Sequence, residues 1–203
     1  MIDYFLRGGF FMWPILAFFI FGLAVSIERL WTLTRASINT KKFLGRIKSA
    51  LREGGVEAAK EICENTRGPI ASIFHAGLSR VDKGIEQVEK SIVSAGSIEM
   101  AFLERGLVWL STVISVAPML GFLGTVQGMI MAFDDIAAAN DISPNIVATG
   151  IAVALLTTLF GLVVAIIIQF FHNLFVAKID KLIIEMEESS VELVDSLIEL
   201  EKR

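Results

Sequence analysis

GLVWLSTVISVAPMLGFLGTVQGMIMAF, residues 106–133, runs for 28 positions without an aspartate, glutamate, lysine or arginine. About 20 mainly apolar residues carry a helix across a bilayer, so the stretch predicts a membrane span. Two further charge-free stretches flank it, 8–27 with 20 positions and 142–177 with 36. Together they explain a chain of 203 residues that is 54% hydrophobic with a mean hydropathy of +0.67. A soluble domain has roughly 45–50% apolar residues, spread more evenly. The first stretch is read as a retained span, because it is longer than the roughly 7–15 apolar residues of a signal peptide and is preceded by Asp3 and only one basic residue, Arg7.

The same composition excludes other classes. One cysteine, Cys63, cannot form an intrachain disulfide, and a net charge of −4 offers no basic footprint for nucleic acid. His75 and His172 have no metal-like spacing, so no zinc, haem or nucleophile constellation supports an enzyme. Both read most simply as surface or packing residues, and Cys63 as a small core residue.

Lysine and arginine set the orientation. Only Arg7 precedes the first span, 13 lie between the first and second, none between the second and third, and four follow the third. Basic loops stay cytoplasmic, which predicts an outside N-terminus and an inside C-terminus. The expected fold is an all-α integral membrane protein with three transmembrane helices extending into a cytoplasmic helical bundle. Its parts are an external segment 1–9, a first membrane helix 10–33, a cytoplasmic helical region 34–105, a second membrane helix 106–133, an external loop 134–144, a third membrane helix 145–177 and a cytoplasmic amphipathic helix 178–203.

Within 34–105, breakers at Gly54-Gly55 and Gly68-Pro69 divide helices expected over 40–53, 56–65 and 70–81. A last helix starts near Gly84 and is expected to run unbroken into the second span. In the loop 134–144, Asp141 or Ser143 is placed to cap a helix with Pro144 in its first turn. That third helix is expected to continue to about Glu199. Ile179, Leu182, Ile183, Met186, Leu193, Val194 and Leu197 line one face of it, a stripe expected to pack on other copies of the chain.

The spans differ in character. The first is rich in phenylalanine, with Trp13 and Trp31 near its ends, as on a lipid-facing helix. In the second, Gly121, Gly124, Thr125 and Gly128 fall at i, i+3, i+4 and i+7, on one face, where small residues let helix backbones approach closely. Pro118 leaves a backbone carbonyl without its helical donor. The third carries Gly150, Gly161 and the adjacent Thr157 and Thr158. A membrane threonine commonly bonds its own i−4 carbonyl, so these residues fit either a packing seam or a polar pathway. No ionisable group lies at mid-depth in any span, so the chain by itself lacks what a proton relay ordinarily requires.

The pair APMLGFLGTVQGMIMAF and PNIVATGIAVALLTTLFGLVVAI, separated by a short loop, resembles the MotA/TolQ/ExbB family of ion-channel subunits, and the three-span layout is similar to its ExbB/TolQ branch. NTRGPIASIFHAGL, residues 65–78, is similar to a further family segment. The resemblance implies a homopentamer in the bacterial inner membrane, an ion-driven motor subunit rather than an enzyme, with the second and third helices lining a pore. It implies as partners two copies of an ExbD/TolR-like single-span protein that carries a membrane aspartate, with a third envelope-spanning protein beyond. No cofactor is implied beyond the coupling ion. By motif position Thr125 and Thr158 match the family's pore threonines, whose hydroxyls would hydrate or coordinate the ion.

The chain departs from ExbB and TolQ in having Val153 where GIAEAL places a glutamate, and Ala165-Ile166-Ile167-Ile168 for AIPA. Thr157 stands where sodium-driven members often have threonine, while the family majority uses protons, so H+ and Na+ are both carried forward. A structural membrane scaffold with a protein-binding cytoplasmic bundle is the competing expectation.

Overall fold

A computed structural model of the chain describes residues 2–37, 39–139 and 144–201. Among these residues there is no strand, as expected, and eight α-helices follow one another. They are α1 Ile2–Arg7, α2 Met12–Ala36, α3 Thr40–Glu53, α4 Gly55–Glu64, α5 Pro69–Leu78, α6 Ile85–Glu104, α7 Leu107–Ala139 and α8 Pro144–Glu201. A 3-10 turn, Val81–Lys83, separates α5 from α6. Three helical stretches are long and apolar enough to cross a membrane, lying within 12–53, 85–139 and 147–200. The 58 residues of α8 extend for about 87 Å at 1.5 Å per residue, far beyond a hydrocarbon core of about 30 Å.

The breaks have local causes. Asn39 caps α3 by accepting a bond from the Lys42 N–H at 3.1 Å. Gly68 enters α5 at φ 132°, a conformation closed to most side chains, and Pro69 follows at the start of the helix, where its missing N–H costs nothing. Pro14 likewise falls in the first turn of α2, which continues without interruption.

Four details differ from the sequence reading. The helix expected to run from Gly84 through the second span stops at Glu104, because Gly106 turns at φ 94° before α7 begins. The helix 70–81 ends at Leu78 in favour of the 3-10 turn. The first residues form α1, and α7 continues through Asp134 and Asp135 to Ala139, into the segment expected as loop. The proposed caps Asp141 and Ser143 lie outside the described residues.

The chain forms two compact units, residues 1–29 with 106–174 and residues 30–105 with 175–203. In the first, Leu110, Val113 and Ala117 of α7 and Val164 and Ile168 of α8 are buried. Gly22 of α2 admits the neighbours closely, since a Cβ there would come within 2.9 Å of Ile168 Cδ1 and 3.3 Å of Val113 Cγ1. Phe10 just before α2 and Trp13 and Ile20 within it are exposed, an apolar surface that suits lipid.

In the second unit, Phe43 and Ile47 of α3, Ala59 and Cys63 of α4, Ile73 and Phe74 of α5 and Val88 of α6 form the core, with the Phe43 and Phe74 rings 5.6 Å apart. Fully burying each large apolar side chain contributes about 1.5–3 kcal/mol. Five of the seven residues of the tail stripe are already covered within the single chain, while Ile183 and Val194 stay partly exposed. Ile179, Leu182, Met186, Leu193 and Leu197 are 1–3% exposed within the single chain. Thr40 donates to Glu185 at 2.8 Å and Lys48 pairs with Glu192 at 2.6 Å, tying α3 to the same helix.

Burial of Cys63, and secondarily the charge of Glu64, pushes its thiol from the ordinary 9.0 up to about 12. The folded protein is therefore expected to resist maleimide at pH 8 and to label fully once unfolded; rapid labelling of the native protein would contradict this burial. Above pH 9 the unfolded chain loses this proton while the folded chain keeps it, so this thiol's contribution to stability falls as pH rises towards 12.

Candidate functional site

The small residues of α7 and α8 meet face to face. A Cβ on Gly128 would lie 2.5 Å from the Gly150 carbonyl oxygen and 2.6 Å from the Ala154 nitrogen, and one on Gly150 would lie 2.5 Å from the Gly128 oxygen. Further along, a Cβ on Gly161 would come within 2.6 Å of the Ala117 oxygen, and one on Gly121 within 2.9 Å of the Thr157 oxygen. The antiparallel helices thus touch backbone to backbone at both ends of the seam. Hydrogen at these positions permits an approach that any side chain would prevent. Pro118 lies within α7, one residue from Ala117 of the seam, and does not end the helix.

Between the glycine contacts the three threonines separate into two kinds. Thr157 is fully buried, its side chain occupying the space left by Gly124, and its hydroxyl lies 2.9 Å from the Val153 carbonyl and 3.1 Å from that of Ala154. Thr125 and Thr158 are half-buried on the flank of the seam, and their hydroxyls are hydrogen-bonded to each other.

That pair has a near-symmetric surrounding. Thr125 Oγ1 lies 3.3 Å from its own i−4 carbonyl, Gly121, and 3.1 Å from Ala154 across the seam. Thr158 Oγ1 lies 3.2 Å from its own i−4 carbonyl, Ala154, and 3.3 Å from Gly121 across the seam. Four oxygens therefore converge with two hydroxyl protons among them. Each hydroxyl and each carbonyl has two lone pairs, and each of these carbonyls also serves the helix ladder once, so the cluster has more acceptors than donors. Uncharged and rich in acceptors, it suits a passing cation or hydronium without binding it as a carboxylate would.

Val153, where the resembling motif carries glutamate, is 5% exposed, and a Cβ on Gly9 would stand 3.6 Å from its Cγ1. An apolar side chain fills this place with no ionised group to satisfy. Among the described residues no group of three or more histidine, cysteine, aspartate or glutamate side chains is arranged to hold a metal.

Long apolar helices packed through glycine, with a polar focus made only of hydroxyls and carbonyls, suit a helical membrane protein. The chain belongs to the MotA/TolQ/ExbB proton channel family, whose family model matches residues 65–188. It is 33% identical over 189 residues to the ExbB homolog of Methanothermobacter thermautotrophicus, covering 92% of this chain and 67% of that protein. An ExbB-like protein of Synechocystis is 33% identical over 170 residues, covering 82% of this chain and 66% of its own length. The biopolymer transport protein ExbB of Pseudomonas putida is 28% identical over 192 residues, covering 85% of this chain and 57% of that protein. The matched region includes both threonines of the hydroxyl pair.

Proposed function

We propose that the chain is the pore-ring subunit of an ion-driven membrane motor, with its N-terminus on the periplasmic side of a bacterial inner membrane and its basic segments in the cytoplasm. Five copies surround the single helices of two ExbD/TolR-like partners, and ion flow past Thr125 and Thr158 turns those helices and energises a periplasmic or outer-membrane process. One observation carries this reading: the paired hydroxyls of Thr125 and Thr158, sharing the Gly121 and Ala154 carbonyls, are a neutral oxygen cluster between helices that contain no charge at that depth. Such a cluster lowers the desolvation cost of a cation but cannot itself hold a proton, and an aspartate on the partner would complete it. Thr157 lines the path only indirectly, by setting the helix spacing against Gly124.

The scaffold reading also has an observation in its favour, since each threonine lies within reach of its own i−4 carbonyl and the glycines pack helices whatever the protein does. Native mass spectrometry of the detergent-purified chain, co-expressed with a single-span partner, separates the two. Five copies retaining two partners are expected; a monomer or dimer that retains none would favour the scaffold.

A further inference from the structure

Thr125 and Thr158 each begin a register of sevens. On α7 the positions Ser111, Pro118 and Thr125 are spaced by seven, and on α8 so are Thr158, Ala165 and His172. Seven residues nearly complete two helical turns, with a drift of about 20° per repeat, so each set stays on one side of its helix. The helices are antiparallel, so moving from the threonine pair back along α7 and forward along α8 leads to the same end of the unit. There, about 21 Å from the pair at 1.5 Å per residue, the two registers converge again. Ser111, Thr112, Ser115 and His172 line one widely open cavity of about 490 Å³ with Leu107, Val108 and Val116, and Ser111 and Ser115 are exposed in the single chain.

The cavity has unspent polar capacity. His172 Nδ1 is buried and has no hydrogen-bond partner in the chain. A buried ring nitrogen in that condition calls for water or a ligand. Thr112 and Ser115 donate their protons to the carbonyls of Val108 and Ser111, at 2.9 and 3.0 Å, which leaves both hydroxyl oxygens as acceptors. Midway, Pro118 has no N–H for the Ile114 carbonyl, adding one more oxygen without its helical donor. Among the residues lining the cavity His172 alone carries a side chain that can exchange a proton by its two ring nitrogens. Along the sequence the charges nearest these residues are Arg105, two positions before Leu107, and Lys178, six positions beyond His172; on α2, Glu28 and Arg29 pair with each other at 2.6 Å.

We propose that Ser111, Thr112, Ser115 and His172 form the inner segment of the ion path, with His172 relaying protons between the threonine pair and the cytoplasmic side. The proposal rests on the pathway assigned to Thr125 and Thr158 and adds a direction and a second station. One imidazole nitrogen takes up a proton from water in the cavity as the other releases its own inward, so no net charge stays behind. Such a relay passes protons and offers sodium nothing to exchange.

The test uses the full chain co-assembled with its single-span partner in lipid vesicles, with proton and sodium flux followed while the pH on the cytoplasmic face is varied. The wild type is expected to carry protons and no sodium, with a flux that depends on that pH. His172→Gln is expected to lower flux at least tenfold and flatten the profile, and millimolar imidazole is expected to restore flux to His172→Ala. Should the glutamine variant fail to assemble, the alanine variant with and without imidazole decides alone. If Thr158→Val loses flux while His172→Gln keeps wild-type flux and profile, the relay is wrong and the outer path stands. Flux that survives Thr158→Val overturns both, and sodium-only flux overturns the relay.

Discussion

Replacing Thr125 and Thr158 together by valine is expected to abolish ion flux through the assembled complex while leaving its mass and thermal stability close to wild type. Valine keeps the shape of threonine and removes the hydroxyl. The two hydroxyls bond to each other, so deleting both leaves no buried donor without an acceptor, and the Gly121 and Ala154 carbonyls keep their helix bonds. The fold therefore loses little. A cation crossing the same place loses two oxygens in a region without charge. At about 1–3 kcal/mol for each uncompensated polar contact, the barrier rises by about 2–6 kcal/mol, roughly thirtyfold to more than ten-thousandfold in rate. The scaffold reading gives the opposite result for the same variant, namely unchanged activity. Flux measured in vesicles, beside the native mass of the same preparation, decides between them.

The second large effect belongs to the seam. Gly128→Ala is expected to destabilise the protein by about 1–3 kcal/mol, the usual range for overpacking, and to reduce flux even in the fraction that folds. The added Cβ would press on the Gly150 oxygen at 2.5 Å and the Ala154 nitrogen at 2.6 Å, which are backbone atoms that cannot swing aside. Separating the helices there also pulls Thr125 away from the Ala154 carbonyl. Gly45→Ala is the control, because a Cβ on that exposed residue of α3 meets nothing within 4 Å. It is expected to raise stability by about 0.5–1 kcal/mol through helix propensity alone. Thermal unfolding in detergent reads both changes, and an unchanged midpoint for Gly128→Ala would remove the seam from the account.

The three apolar helices are legible in the sequence because charge is excluded from stretches of 20, 28 and 36 residues, each long enough to cross a bilayer. The small-residue face of 121–128 is legible from its spacing, which repeats with the helical turn. The break at Gly106 is not, since a glycine at the head of an apolar stretch reads equally as the start of a span or as a turn, and only the backbone angle distinguishes them. Nor does the sequence separate Thr157 from Thr158. Adjacent residues on a helix differ by about 100° in direction, and which of the two enters the seam depends on the rotation of α8 against α7. His172 reads from the sequence as a surface or packing residue because no partner stands near it along the chain. Its seven-residue register with Thr158 is a visible signal, but acquires meaning only once Ser111 is found in the same cavity.

The contacts of the first unit carry an order in time. α7 and α8 are consecutive, so their backbone seam can close as a hairpin as soon as α8 has been synthesised, with little chain to bring together. α2 leaves the ribosome long before that, yet Gly22 finds Val113 and Ile168 only in the two later helices. During synthesis the first helix must therefore wait in the lipid, exposing a face whose partners do not yet exist. The glycine notch at Gly22 is then a docking point for the last step of assembly, and a mutation there would act on newly made chains before it acted on finished ones.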